Sequence, residues 1–251
     1  MTTESTKELS LLCDAASVRA ILDGGKTQTR RVIKPQPKQE GPFMVLRSGK
    51  VFLFRGHATS VLKTTEETDI AQALLSLSPY QPGDRLYVQE AFATYKCLDG
   101  KPPRMTGDGS AFWYRADGAV RNLEGLRSEV RGKWRLPQHM PKWAARIWLE
   151  VVGVRSERLQ DISEADMFAE GISRNDEFPV DGLPCPDCGG EGLHLAFGAN
   201  YGVTQVDCRR CETPQKRFLL IWDSNNAKRG FGWDANPLVW VVDFRLLEDR
   251  A

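Results

Sequence analysis

Apolar residues recur along this chain with two periods. Some runs repeat every three to four residues, as one face of a helix does, and others alternate, as strands do. The segment DAASVRAILDGG (14–25) sets Val18, Ile21 and Leu22 on one helical face, with Asp14 as N-cap and Gly24 or Gly25 as the stop. LSLLCD (9–14) before it predicts a short strand, and TQTRRVI (27–33) after it predicts a strand with Thr27, Thr29 and Arg31 on one face. Lys26 falls at the joint between helix and strand. Further on, FMVLRSGKVFLFR (43–55) predicts a hairpin turning at Ser48-Gly49, and a helix is expected over 65–77. QPGDRLYVQEAF (81–92) begins in a turn and becomes a strand in which Leu86 and Val88 alternate with Tyr87. Residues 95–110 read as a long loop, and AFWYRADG (111–118) as a short strand and turn.

WAARIWLEVVGVRSERL (143–159) is the strongest strand pattern in the middle of the chain. DISEADMFAEGI (161–172) then predicts a helix capped by Ser163, with Asp166 three residues on and Gly171 as its end. TPQKRFLLIWDSNN (213–226) predicts a helix capped by Thr213 with Pro214 in its first turn, and PLVWVVDFRLL (237–247) a final buried strand. No repeat is visible. The strands do not alternate regularly with helices, which argues for an α+β fold or a small β-barrel rather than a doubly wound sheet. The expected organisation is a single domain over 9–247, with insertions near 34–80, 95–135 and 174–212.

Composition narrows the class. Hydrophobic residues make up 41% of the 251 and charged residues 27%, which suits a globular chain with a sizeable core. The net charge is +1, so only local patches can speak for nucleic acid. No run is apolar enough to span a membrane and Met1–Ser10 lacks the apolar core of a signal peptide, so a cytoplasmic location and no membrane partner are expected. The oligomeric state is open.

The cysteines change the picture most. Four of the six form two C-x-x-C pairs, Cys185/Cys188 and Cys208/Cys211, with 19 residues between them. Two such knuckles supply the four thiolates of a tetrahedral zinc site, so 183–213 is expected to be an inserted zinc-binding knuckle pair. Four thiolates leave no open position for water, so the ion is expected to be structural. Cys13 and Cys97 have no partner by spacing.

GGKTQTRR (24–31) is the second concentration of chemistry. A threonine hydroxyl needs a neighbouring base to become a nucleophile, and a lysine desolvated by burial can serve as one. Lys26 and Thr29 are the candidates for such a pair. A solvated basic turn leading into a strand is the alternative reading of the same residues, and spacing alone does not name a carboxylate to orient the lysine.

Here the chain resembles a known family. ILDGGKTQTRRV resembles the G-x-K-T-x-T-x-R signature of ASCH domains, of the PUA-like superfamily. PGDRLYVQE, VVGVRSERLQDISEADMFAEGI and WVVDFRLL resemble the family's following strands and short helix, and the layout is similar to larger ASCH proteins of phages and prophages. The resemblance covers about two thirds of the chain and implies a small PUA-like barrel with a few short helices and a cleft for a nucleobase or RNA. It further implies a bacterial host cytoplasm. One branch of the family hydrolyses the acyl amide of N4-acetylcytidine with a lysine, a threonine and a helix-end glutamate. Matched by position, these are Lys26 as base, Thr29 as nucleophile and Glu170 as the orienting carboxylate, with Arg31 binding substrate. Gly25 departs from the basic residue many members carry there. Binding of RNA or a modified base without hydrolysis, or RNA cleavage, are the other activities the resemblance leaves open.

Two stretches are locally basic. Residues 26–38 include Arg30 and Lys34, and residues 131–146 include Arg135, Lys142 and Arg146 among tryptophans, a combination suited to phosphate contact and base stacking. WDANPLVW could place Trp233 and Asn236 against a base, although Asp-Ala-Asn-Pro is equally a good turn. The expected partner is therefore a nucleoside or RNA.

Overall fold

The structure is a computed structural model that describes residues 6–36, 38–40, 43–46, 50–53, 75, 77–107, 109–122, 131–174, 182–197 and 203–247. It is an α+β fold of open sheets and few helices. Two compact units can be distinguished: Met1–Thr27, Pro82–Val152 and Phe244–Ala251 in the first, Gln28–Gln81 and Gly153–Asp243 in the second.

In the first unit, β1 (Glu8–Leu12) runs parallel to β6 (Arg85–Gln89), with Leu9 opposite Leu86 and Leu11 opposite Val88. The start of β10 (Trp148–Arg158) pairs antiparallel on the other side of β6, Leu149 opposite Leu86, so the sheet is mixed. Helix α1 (Ala15–Leu22) forms as its pattern predicts. Asp14 accepts from Ser17 N at 2.8 Å, and Val18 and Ile21 are buried. Leu22, expected on the same face, is exposed at the last helical position. Gly24 ends the helix at φ 75°, a conformation that suits glycine, and Lys26 N then closes the turn onto Ala20 O at 2.8 Å.

The stretch expected as an insertion at 95–135 supplies much of this unit's core. β7 (Phe92–Ala93), β8 (Phe112–Tyr114) and β9 (Val120–Arg121) form an antiparallel sheet. Phe92 and Phe112 stack at 5.3 Å, and Tyr114 donates to Ala144 O at 2.7 Å. Each such fully buried ring contributes about 1.5–3 kcal/mol. The strand expected from 143 begins only at Trp148. Lys142–Ala144 forms a 3-10 turn instead, with Pro141 at its N-cap.

The second unit holds the rest of β10, β13 (Leu238–Leu246) up to Asp243, and β2 (Gln28–Val32), in the order β10-β13-β2. β2 is antiparallel to β13, with Thr29 opposite Val242 and Arg30 opposite Val241. On one face lies a core of Leu159, Met167, Ile172, Phe218, Trp222, Val239 and Val241. It is covered by α2 (Glu164–Ala169) and α3 (Pro214–Asn226). Their caps are those the sequence predicts: Ser163 accepts from Asp166 N, and Thr213 from Lys216 N. β3 (Lys38–Glu40), β4 (Phe43–Leu46) and β5 (Lys50–Leu53) form an antiparallel sheet containing the expected hairpin's two strands. The expected helix over 65–77 lies almost wholly outside the described residues.

Among the described residues no barrel closes. β1 in the first unit and β2 in the second each have a sheet neighbour on one side only. Alternation in the sequence says which face of a strand is buried, and it carries no information on whether edge strands meet. Among the same residues, no helix is long and apolar enough to cross a membrane.

Candidate functional site

Two polar sites are built into the second unit. The first grows from β2, where alternation sends Gln28, Arg30 and Val32 to the face of the helical core and Thr29 and Arg31 to the opposite face. The Arg30 side chain is fully buried. Its Nε and Nη2 donate to Glu157 Oε1 at 2.9 and 2.6 Å, and its Nη1 to Gln28 Oε1 at 2.6 Å and Glu170 Oε1 at 3.3 Å. Nη2 also lies 3.2 Å from Asp166 Oδ2. Arg155 closes the other side, donating to Asp166 at 2.9 Å, Asp243 at 3.2 Å and Glu157 at 3.3 Å. Gln28 Nε2 bridges Asp243 at 2.6 Å and Asp166 at 3.1 Å. Gly153 leaves room for this approach, since a Cβ there would stand 3.2 Å from Asp243 Oδ2. Two guanidinium groups thus face four carboxylates, Glu157, Asp166, Glu170 and Asp243, a formal balance of minus two.

Burial opposes the charge on Asp166, but the bonds from Gln28, Ser163 and the two arginines outweigh it and hold the carboxyl below its ordinary value. A depressed carboxylate stabilises the fold above its unfolded value, about 3.9, and that contribution disappears as pH falls through the lower folded value. Urea midpoints measured from pH 5 downwards should therefore fall less steeply in Asp166→Asn than in the parent chain. Identical acid limbs would show that Asp166 is not so held.

Glu170, at the end of α2, does reach the basic signature strand, and the residue it meets there is Arg30. Thr29 points to the other face. Lys26 is 7% exposed and Thr29 6%, so this stretch is not a solvated turn. Arg31 shares the Thr29 face and is half-buried.

The remaining expected contacts are engaged within the fold. Arg30 is inside a carboxylate cluster, not on a surface where it could meet phosphate. Arg146 chelates Glu90 at 2.8 and 3.0 Å and Asp117 at 2.8 and 3.0 Å, and lies over the Tyr114 ring. Burial pushes the Glu90 carboxyl up in spite of that pairing. Lys142 pairs with Glu8, and Arg135 donates to Leu98 O and Lys101 O. Lys34 sits 5.4 Å from the Phe231 ring centre. Trp233 packs edge-on against Phe218, and Asn236 adopts a left-handed turn while its Oδ1 accepts from Gln160 N at 2.9 Å. WDANP forms a turn, as one of its two readings expects.

The second site is the cysteine quartet. The four sulfur atoms lie within 4.8 Å of one another, with Cys185 to Cys208 at 3.7 Å and Cys188 to Cys211 at 3.4 Å. A tetrahedral zinc at about 2.3 Å from each sulfur sets them about 3.8 Å apart. The cluster can therefore hold a metal ion such as zinc. The first knuckle turns through Gly189, Gly190 and Gly192, all at positive φ, and β11 (Leu193–Phe197) and β12 (Val203–Asp207) form the antiparallel pair that brings the two knuckles together. Leu183 and, from α3, Leu220 and Ile221 pack on the thiols, while Arg210 bonds Asp187 at 3.0 Å from knuckle to knuckle. Burial raises the Cys188 thiol, but the N–H groups of Gly190 and Gly192 and the Cys211 thiol outweigh it and bring it down to about 7.

No protein-family model matches the chain, and no curated protein or solved structure matches it. Function must be argued from these two sites.

The Arg30–Arg155 carboxylate network was not anticipated. Its one signal in the sequence is Asp243, which interrupts an apolar run, since 27–31 and 155–158 are polar at every position.

Proposed function

We propose that the chain is an amide hydrolase that removes an acyl group from the exocyclic N4 of a cytidine-type nucleoside, as its likeness to ASCH domains implies. The observation that carries this reading is the burial of Lys26 and Thr29. A lysine and a threonine withdrawn from water at the head of a strand are costly as mere turn residues and suit a nucleophile–base pair. In the reaction, Thr29 Oγ attacks the acyl carbonyl as Lys26 takes its proton. The C–N bond breaks, and the N4 amine leaves with that proton. Water then hydrolyses the threonyl ester, releasing the carboxylic acid and restoring the hydroxyl. By the likeness to ASCH domains, Glu170, which Arg30 holds, is the carboxylate assigned to the lysine. The cysteine quartet holds a structural zinc ion that takes no part in the chemistry.

A second reading is binding of a modified base or RNA without hydrolysis. It is favoured by the alternation of β2, which directs Thr29 away from the face where Glu170 meets Arg30. Following N4-acetylcytidine absorbance separates the two. Hydrolysis by the parent chain, reduced about 10²- to 10⁴-fold in Lys26→Ala and in Thr29→Ala, supports the enzyme. No turnover by folded, zinc-loaded protein, or full turnover in Thr29→Ala, excludes the proposed mechanism.

A further inference from the structure

Away from both sites, the first unit gathers positive charge that the linear sequence disperses. Arg135 folds the loop at 96–105 against the segment 131–136 by donating to Leu98 O at 2.8 Å and Lys101 O at 3.1 Å. Lys133 N donates to the Asp99 carboxylate at 3.1 Å, and Thr94 O accepts from Gly132 N at 2.7 Å. A Cβ on Gly132 would overlap the Asp99 carboxylate, so the glycine is what permits this approach. These bonds bring Lys101 and Arg104 together with Arg131 and Lys133. Arg131 lies 4.4 Å and Arg115 5.9 Å from the Trp134 ring centre. Among the described residues of these segments, the Asp99 carboxylate accepts from the Lys133 backbone amide. Lys101, Arg104, Arg115, Arg131 and Lys133 thus belong to segments that these bonds and the Trp134 contacts hold together, on a chain whose net charge is only +1.

The same two segments carry large apolar side chains in water: Trp134 is 37% exposed, Leu136 59% and Met105 69%. An acidic protein would satisfy the charges and leave these three unexplained. A duplex would offer phosphates with its base faces already stacked. Unpaired bases on a phosphodiester backbone match both features, since the cations take phosphates while the indole and its apolar neighbours take base faces. We propose that this surface binds single-stranded nucleic acid. The proposal does not depend on hydrolysis, and it uses none of the residues assigned to that reaction.

The test is fluorescence anisotropy of a short labelled single-stranded RNA titrated with the full chain between about 50 and 200 mM salt. Binding should weaken about tenfold or more in Lys101→Glu/Lys133→Glu. The log–log salt dependence should become shallower by about 0.7 for each phosphate that is no longer neutralised. Trp134→Ala should weaken binding about five- to hundredfold through the missing base stack. Unlabelled single-stranded DNA should compete, and duplex or inorganic polyphosphate should compete poorly. No binding at the lowest salt, unchanged affinity in the charge-reversed variant, or equal competition by polyphosphate would each overturn the proposal. Turnover of free N4-acetylcytidine should be the same in these variants as in the parent chain, so failure here and failure of the hydrolase reading are told apart.

Discussion

Arg30→Ala is expected to lower the stability of the chain by about 3–5 kcal/mol, seen as a large fall in the urea midpoint. The guanidinium is fully buried and lies against Glu157, Asp166 and Glu170, none of which has more than a quarter of its side chain in water. Removing the cation leaves carboxylates in a place where they cannot be solvated, and that penalty exceeds the net worth of any one ion pair. Arg155 touches Glu157 and Asp166 and offsets part of the loss, but its side chain is more exposed and already serves Asp243. Arg30→Lys should recover only a fraction, because one ammonium cannot donate to Glu157, Gln28 and Glu170 in the directions the planar fork does. Adding Glu170→Gln to Arg30→Ala should cost less than the two single losses together, since the neutral amide no longer needs the missing cation. An unchanged midpoint in Arg30→Ala would mean that the network is solvated and dispensable.

This residue also shows where sequence reading stopped. Helix caps are local, and Asp14, Ser163 and Thr213 are found capping as read, because a side chain reaching its own helix's N–H groups needs no tertiary information. The continuous apolar run in 237–247 likewise places β13 as a buried strand. Arg30, in contrast, was grouped with its basic neighbours in sequence, whereas its environment is set by parity along β2 and by carboxylates 127 and 140 positions away. The burial of Lys26 and Thr29 was required by the catalytic reading without being readable from GGKTQTRR. The 95–135 stretch reads as an insertion with a short strand at AFWY, yet Phe112 and Tyr114 within that strand are core. A run as short as AFWY has too few residues for alternation to distinguish a surface strand from a buried one. Closure into a barrel is a relation between edge strands, and no single strand's pattern encodes it.

The cysteine quartet was legible because its spacing is itself the geometry, and it yields the other large effect. The chain should bind one zinc ion per molecule. Cys208→Ser should abolish that binding, open the β11–β12 hairpin to protease and lower the melting temperature steeply. The scale is set by structural zinc in small peptide domains, where binding is worth about 10–16 kcal/mol at neutral pH. The loss here will be smaller, because Leu183, Leu220 and Ile221 also pack the knuckles against α3. A strong chelator should reproduce the effect in the parent chain, and added zinc should reverse it there but not in Cys208→Ser. Cys97→Ser, at an exposed thiol outside the cluster, is the control that should change neither metal content nor stability. A parent chain that keeps its melting temperature after complete metal removal would reduce the quartet to four packed thiols. Four thiols held within 4.8 Å of one another by the two knuckles offer one another only weak S–H bonds. A shared cation satisfies all four at once, and that asymmetry is why its removal is expected to unfold the segment instead of merely loosening it.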